Sequence, residues 1–130
     1  MQRFFDARIF ELPANFTTTS SGPVKVTGSG FNYTPTHNRL KITCYNAIMN
    51  NTAANGYIGA QVRFNAAGGM GFGGALMFGT SPLSATIEDI FIVTPNVEHE
   101  VAIYIWRLVA GTAQFTKLSH LTFLLEEWDE

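Results

Sequence analysis

The stretch His99–Gly111, HEVAIYIWRLVAG, has no helical spacing. Val101, Ile103 and Ile105 fall on one side of an extended chain, and Ala102, Tyr104, Trp106 and Leu108 on the other. β-branched and aromatic side chains dominate it, as they do in strands. An antiparallel strand usually turns one polar side to water; this one is apolar on both. The segment LTFLL (121–125) repeats the pattern, with Leu121, Phe123 and Leu125 on one face and Thr122 and Leu124 on the other. A strand apolar on both faces requires two covers. In a chain without helical segments, the expected second cover is another copy.

Outward from this stretch the same period of two recurs. RLKITCYNA (39–47) sets Leu40, Ile42 and Cys44 against Lys41, Thr43 and Tyr45. YIGAQVRFN (57–65) turns Ile58, Ala60, Val62 and Phe64 inward and Gln61 and Arg63 outward. Further strands are expected at 8–12, 24–28, 75–80, 85–94 (with a bulge near Glu88-Asp89), 111–116 and 121–128. Residues 31–38 and 50–56 read as turns. Short strands separated by Gly, Pro, Asn and Ser define an all-β sandwich or barrel. Residues 1–20 are the least regular part and are expected to form an N-terminal arm, with the domain over 21–130.

The 130 residues suit one domain. Charged residues make up 14% and apolar residues 46%, against roughly 25% charged in ordinary soluble domains. So few charges cover little surface, and an oligomer is expected. The net charge of −2 and the scattered Lys and Arg argue against nucleic acid as a partner. One cysteine, Cys44, excludes an intrachain disulfide framework. No apolar run is long enough to span a membrane as a helix, and the charged opening MQRFFDARIFELP does not read as a signal peptide. The Asn-x-Ser/Thr sequons at Asn15, Asn32 and Asn50 read as chance.

The C-terminal third, with Val101 to Arg107, the Gly111-Thr112-Ala113 hairpin, and Leu121-Thr122 followed by Glu126, resembles the TNF/C1q-like jelly rolls of phage virion proteins. That resemblance implies an antiparallel jelly-roll β-sandwich assembled as a homotrimer. It implies a trimer interface of Tyr104, Trp106, Leu121, Phe123 and Leu125. It further implies a structural protein on the capsid surface, made in the host cytoplasm: a capsid decoration protein whose partners are itself and the major capsid protein. The arm residues Phe4, Phe5, Ile9 and Phe10 are expected to contact the shell. The alternative is the head of a tail or head fibre that binds a host glycan or surface protein, with Phe31, Tyr33 and Phe72 stacking on sugars.

Three motifs compete with that reading. Gly69-Met70-Gly71-Phe72-Gly73-Gly74 matches the Gly-x-Gly-x-x-Gly dinucleotide turn in letters. Such a turn needs a helix after it to hold the phosphate, and ALMFGTSPL leaves no room for one. The glycines are expected to relieve crowding instead. His37, His99 and His120 are not spaced as metal ligands; an axial ion on His120 is the only metal arrangement to weigh. Ser119-His120 and the carboxylates Glu88, Asp89, Glu98 and Glu100 form no nucleophile elbow, and the carboxylates read as solvated edges. Cys44 reads as a core thiol. No enzyme activity, cofactor or metal is expected.

Overall fold

The computed structural model describes residues 4–71, 75–117 and 120–130. They form eleven strands: β1 (Phe4–Glu11), β2 (Phe16–Thr18), β3 (Val24–Lys25), β4 (Phe31–Tyr33), β5 (Arg39–Asn51), β6 (Tyr57–Phe64), β7 (Ala75–Phe78), β8 (Leu83–Ile92), β9 (His99–Val109), β10 (Ala113–Phe115) and β11 (His120–Trp128). They build two antiparallel sheets.

The first sheet is organised by β5. Its first half pairs with β11 and its last residues pair with β10, along one edge; β8 runs along the other. β1 closes the sheet beyond β11, and β2 lies beyond β10. The second sheet is organised by β9, with β3 and β4 on one edge, β6 on the other and β7 beyond it.

The alternation read in the sequence is the packing rule. Leu40, Ile42, Cys44, Leu121, Phe123, Leu125, Ile87 and Phe91 face Ile58, Val62, Phe64, Val101, Ile103 and Ile105 across the sandwich. Phe31 on β4 meets Phe123 on β11 edge to face at 5.0 Å, joining the two sheets.

Several local expectations are corrected. Residues 4–11 are not an arm: they form β1, paired with β11 over its whole length. The segment 16–18, read as loop, is β2, and 31–33, read as turn, is β4. The bulge is not at Glu88-Asp89 but on the partner strand. Between the pairs Cys44↔Ile87 and Ala47↔Ala85, β5 has two residues where β8 has one, and Asn46 takes φ 62°.

The hairpin Gly111 has a specific cause. A Cβ there would collide with Oδ1 of Asn51, and its φ is 63°. Asn51 is fully buried and ties three loops together. Its Nδ2 donates to the carbonyls of Ala110 (3.0 Å) and Tyr57 (3.4 Å), and its Oδ1 accepts from the N–H of Ala53 (2.8 Å).

Candidate interaction surface

β9 and β11 explain why their second faces are apolar, and the explanation differs from the expected one. Leu121, Phe123 and Leu125 are fully buried in the chain's own core. They have no surface left to give a partner, so their assignment to a trimer interface is corrected. Tyr104 and Trp106 lie on the outer face of the β9 sheet, half-buried. Much of their cover comes from the same sheet. Arg63 stacks over Tyr104 with its guanidinium 4.8 Å from the ring centre. Trp106 stands directly opposite Gly59 and lies where a side chain on that residue would be. Ala102, opposite Arg63, is buried as a result.

Exposed apolar side chains stand on both sheets: Tyr57, Leu108 and Val109 at one end of the β6–β9 pair, and a larger group on the outer face of the other sheet. In register, Phe5, Glu126, Lys41 and Ile90 form one row across its outer face. Ala7, Leu124, Thr43 and Glu88 form the next, and Ile9, Thr122 and Tyr45 the third. Ile92 stands beyond, opposite Arg39. Phe5 is 63% exposed, Ile9 71% and Ile92 68%. Charge on this face is partly cancelled by Lys41 and Glu88, which pair at 3.6 Å. Phe5, Ile9 and Ile92 make this face, which Glu126, Lys41 and Glu88 interrupt, the candidate interaction surface. Of the expected shell contacts, Phe4, Phe5 and Ile9 are exposed on β1; the side chain of Phe10 lies outside the described residues.

Two buried carboxylates were not anticipated as structural. Glu127 follows Leu121, Phe123 and Leu125 in phase and so points into the rim of the sandwich. It accepts the hydroxyl of Tyr33, the N–H of Thr36 (2.5 Å) and the N–H of His37 (3.0 Å), with His37 Nδ1 at 3.3 Å. Burial alone would raise its pKa, but these hydrogen bonds outweigh it and hold the carboxyl below the usual carboxylate range. Burial, then the Glu127 hydrogen bond and charge, push the Tyr33 phenol well above its ordinary value. Phe4 stacks on His37 at 4.5 Å, tying β1 to this cluster.

Asp89, in phase with Ile87 and Phe91, is the second, and it is buried rather than solvated. Its oxygens accept the N–H groups of Gly69 (3.0 Å) and Gly71 (3.1 Å), while Met70 donates to the carbonyl of Ile90 (2.8 Å). The glycine stretch therefore wraps a carboxylate of its own chain, where a nucleotide turn would wrap a phosphate. A Cβ on Gly69 would collide with the Ile90 carbonyl, and Gly71 has φ 87°. Phe72, Gly73 and Gly74 lie outside the described residues.

The other candidate groups are dispersed. His99 meets Phe64 edge to face at 5.4 Å, beside a cleft of about 400 Å³ between the glycine stretch and the ends of β6 and β8. That cleft is walled by Phe64, Met70, Phe91 and Thr94. Glu100 pairs with Lys25 at 3.2 Å. Among the described residues no three His, Cys, Asp or Glu side chains gather as a metal site. Ser119 and the side chain of His120 lie outside the described residues. Cys44 is fully buried, and burial pushes its thiol up to about 12. Of the aromatics expected to stack on sugars, Tyr33 is buried against Glu127 and Phe31 packs on Phe123; Phe72 is outside the described residues.

No family model matches the chain, and no curated protein matches its sequence. Solved structures match its fold. The sandwich is similar to a chain in the structure of the infectious bursal disease virus Gx strain over 96% of its length, at 9% identity and a TM-score of 0.57. It spans about a third (32%) of that chain. It is similar to Eiger TNF from S. frugiperda over 98% of its length and 94% of that chain, at 9% identity and a TM-score of 0.52. The fold is an all-β, antiparallel jelly-roll sandwich of TNF-like type.

Proposed function

We propose that this chain is a structural protein of a virus particle: a capsid decoration protein of a phage, assembled as a homotrimer and bound to the outside of the shell. One observation carries this reading, the open apolar outer face of the β1–β11–β5–β8 sheet. With 14% charged residues in the chain, that face is the surface on which three copies meet. It replaces the Leu121, Phe123 and Leu125 contact inferred from the sequence. Phe5 and Ile9, at its β1 margin, are left for the major capsid protein, with Phe4 beside them on the opposite side of the strand.

The fold likeness to a chain of a virus supports a role in a particle. The protein acts by burying apolar area, at about 25 cal/mol per Å², and not by catalysis. It is made in the host cytoplasm and ends on the capsid surface.

Light scattering of the purified protein tests the assembly. The expected mass is that of three chains, and Ile92→Lys is expected to reduce it to one. A wild-type monomer at micromolar concentration overturns the trimer. Co-sedimentation tests the role: the protein is expected to pellet with capsid shells and not with host cells. Binding to cells without binding to shells would favour the fibre-head alternative.

A further inference from the structure

We infer that two copies of the chain pair antiparallel along β1, about Ala7, and so continue the β5 sheet from one copy into the next. The inference concerns the edge of that sheet and does not rest on the trimer reading. β1 is the terminal strand: β11 occupies one side of it, and among the described residues no strand occupies the other. An open strand edge is a template for another strand.

The hydrogen bonds at Ala7 show which groups face outward. Its N–H is taken by Oδ1 of Asp6 at 2.8 Å, and its carbonyl accepts from Arg8 Nη1 at 3.3 Å. Neither goes to β11. In an antiparallel ladder a residue turns its N–H and C=O to the same side, and the sides alternate. Phe5, Ala7 and Ile9 therefore present their peptide groups to the open edge. In the single chain the Asp6–Arg8 pair, at 2.6 Å, closes over the middle one.

The order of residues then selects the partner. Phe4-Phe5-Asp6-Ala7-Arg8-Ile9-Phe10 matches itself when reversed. With Ala7 opposite Ala7 of a second copy, Asp6 stands opposite Arg8, Arg8 opposite Asp6, Phe5 opposite Ile9, and Phe4 opposite Phe10. Both charge pairs are complementary, and the apolar pairs are cross-strand neighbours of the stabilising kind. Phe5, Ala7 and Ile9 then occupy hydrogen-bonded positions, as their outward peptide groups require. Asp6 and Arg8 exchange their contacts within one strand for contacts across two. Where three copies share the sheet face, each trimer offers three such edges; the Asp6–Arg8 pair keeps them closed in a dilute trimer, and pairing joins neighbouring trimers where a shell crowds them together.

Disulfide trapping in the full chain tests this. Ala7→Cys brings two thiols to directly opposed positions, within the Cα separation a disulfide spans. Cys44 is fully buried and does not compete. Under mild oxidation Ala7→Cys is expected to yield linked dimers, on a denaturing gel, at least tenfold faster than Thr17→Cys, an exposed position on β2. Adding Asp6→Arg or Arg8→Asp is expected to abolish that advantage, since each sets like charges opposite one another. An equal mixture of those two variants restores it, as does the double exchange within one chain. A denaturing gel counts only chains joined through β1, so failure here is distinct from loss of the three-chain mass. An Ala7→Cys rate no greater than that of Thr17→Cys overturns the pairing. Single variants that still link at full rate, or a mixture that regains nothing, overturn the register.

Discussion

Oδ2 of Asp89 accepts the N–H of Gly69 at 3.0 Å, across 20 residues of chain. With the Gly71 bond at 3.1 Å it fastens the glycine stretch along β8, which among the described residues pairs with β5 alone. Asp89→Ala leaves these N–H groups without that acceptor, at a cost of about 1–3 kcal/mol. Urea unfolding is expected to show the loss as a lower midpoint. Gly69→Ala is expected to destabilise as well, because its methyl meets the Ile90 carbonyl, which is backbone and cannot swing aside.

The acid limb of stability is expected to belong in part to Glu127. Its folded pKa is depressed, so its contribution is complete above the unfolded carboxylate value of about 4.3 and is lost as pH falls through the folded value. The melting temperature should therefore drop between about pH 5 and pH 3, and Glu127→Gln should flatten that drop while lowering stability at pH 7. Tyr33 has the opposite sense: its folded pKa is raised, so its contribution is complete below about 10 and fades above it. Tyr33→Phe is expected to cost about 1–3 kcal/mol at pH 7 by removing a donor from a buried carboxylate. An acid profile identical in wild type and Glu127→Gln would remove this role.

Both carboxylates show what the sequence made legible. Period two places Leu40, Ile42 and Cys44 inside, and the structure agrees. The same phase, continued through Ile87 to Phe91 and Leu121 to Leu125, points Asp89 and Glu127 inward. The charge of Asp89 suggested a solvated edge, but a buried carboxylate is stable where backbone N–H groups converge on it. Those partners come from 18 to 91 residues away, in segments with no periodic pattern. β4 escaped for a related reason: three residues before Pro35 look like a turn until Val101 and its neighbours pair with them. The doubly apolar strands were legible, but their cover was not. Nothing in sequence says that Arg63 will lie over Tyr104 or that Trp106 will lie over Gly59.

That last arrangement carries its own prediction. Trp106 lies on the space Gly59 leaves, so Gly59→Ala forces the indole off the sheet. Displacing a packed aromatic costs about 1–3 kcal/mol and exposes its ring. Urea unfolding is expected to give a lower midpoint, and the tryptophan emission of the folded variant is expected to shift to longer wavelength. Trp106→Ala in the same background should remove most of the further penalty, because the two residues share one contact. Additive losses would show that Gly59 matters for another reason.

The hairpin between β6 and Ala67 offers a gain rather than a loss. Phe64 and Ala67 exchange both backbone bonds, at 3.1 and 3.2 Å, leaving a two-residue turn of Asn65 and Ala66. Both have φ 57°, the left-handed region that a type I′ turn demands at both central positions. Asn tolerates it; Ala carries a Cβ that crowds the following carbonyl, at roughly 1–2 kcal/mol. Glycine removes the crowding but loosens the unfolded chain by about 0.5–1 kcal/mol. Ala66→Gly is therefore expected to stabilise the fold by about 0.5–1 kcal/mol, the difference between those terms, read as a higher urea midpoint at unchanged slope. A lower midpoint would mean that the turn does not hold Ala66 in the left-handed region, since only there does the missing Cβ help.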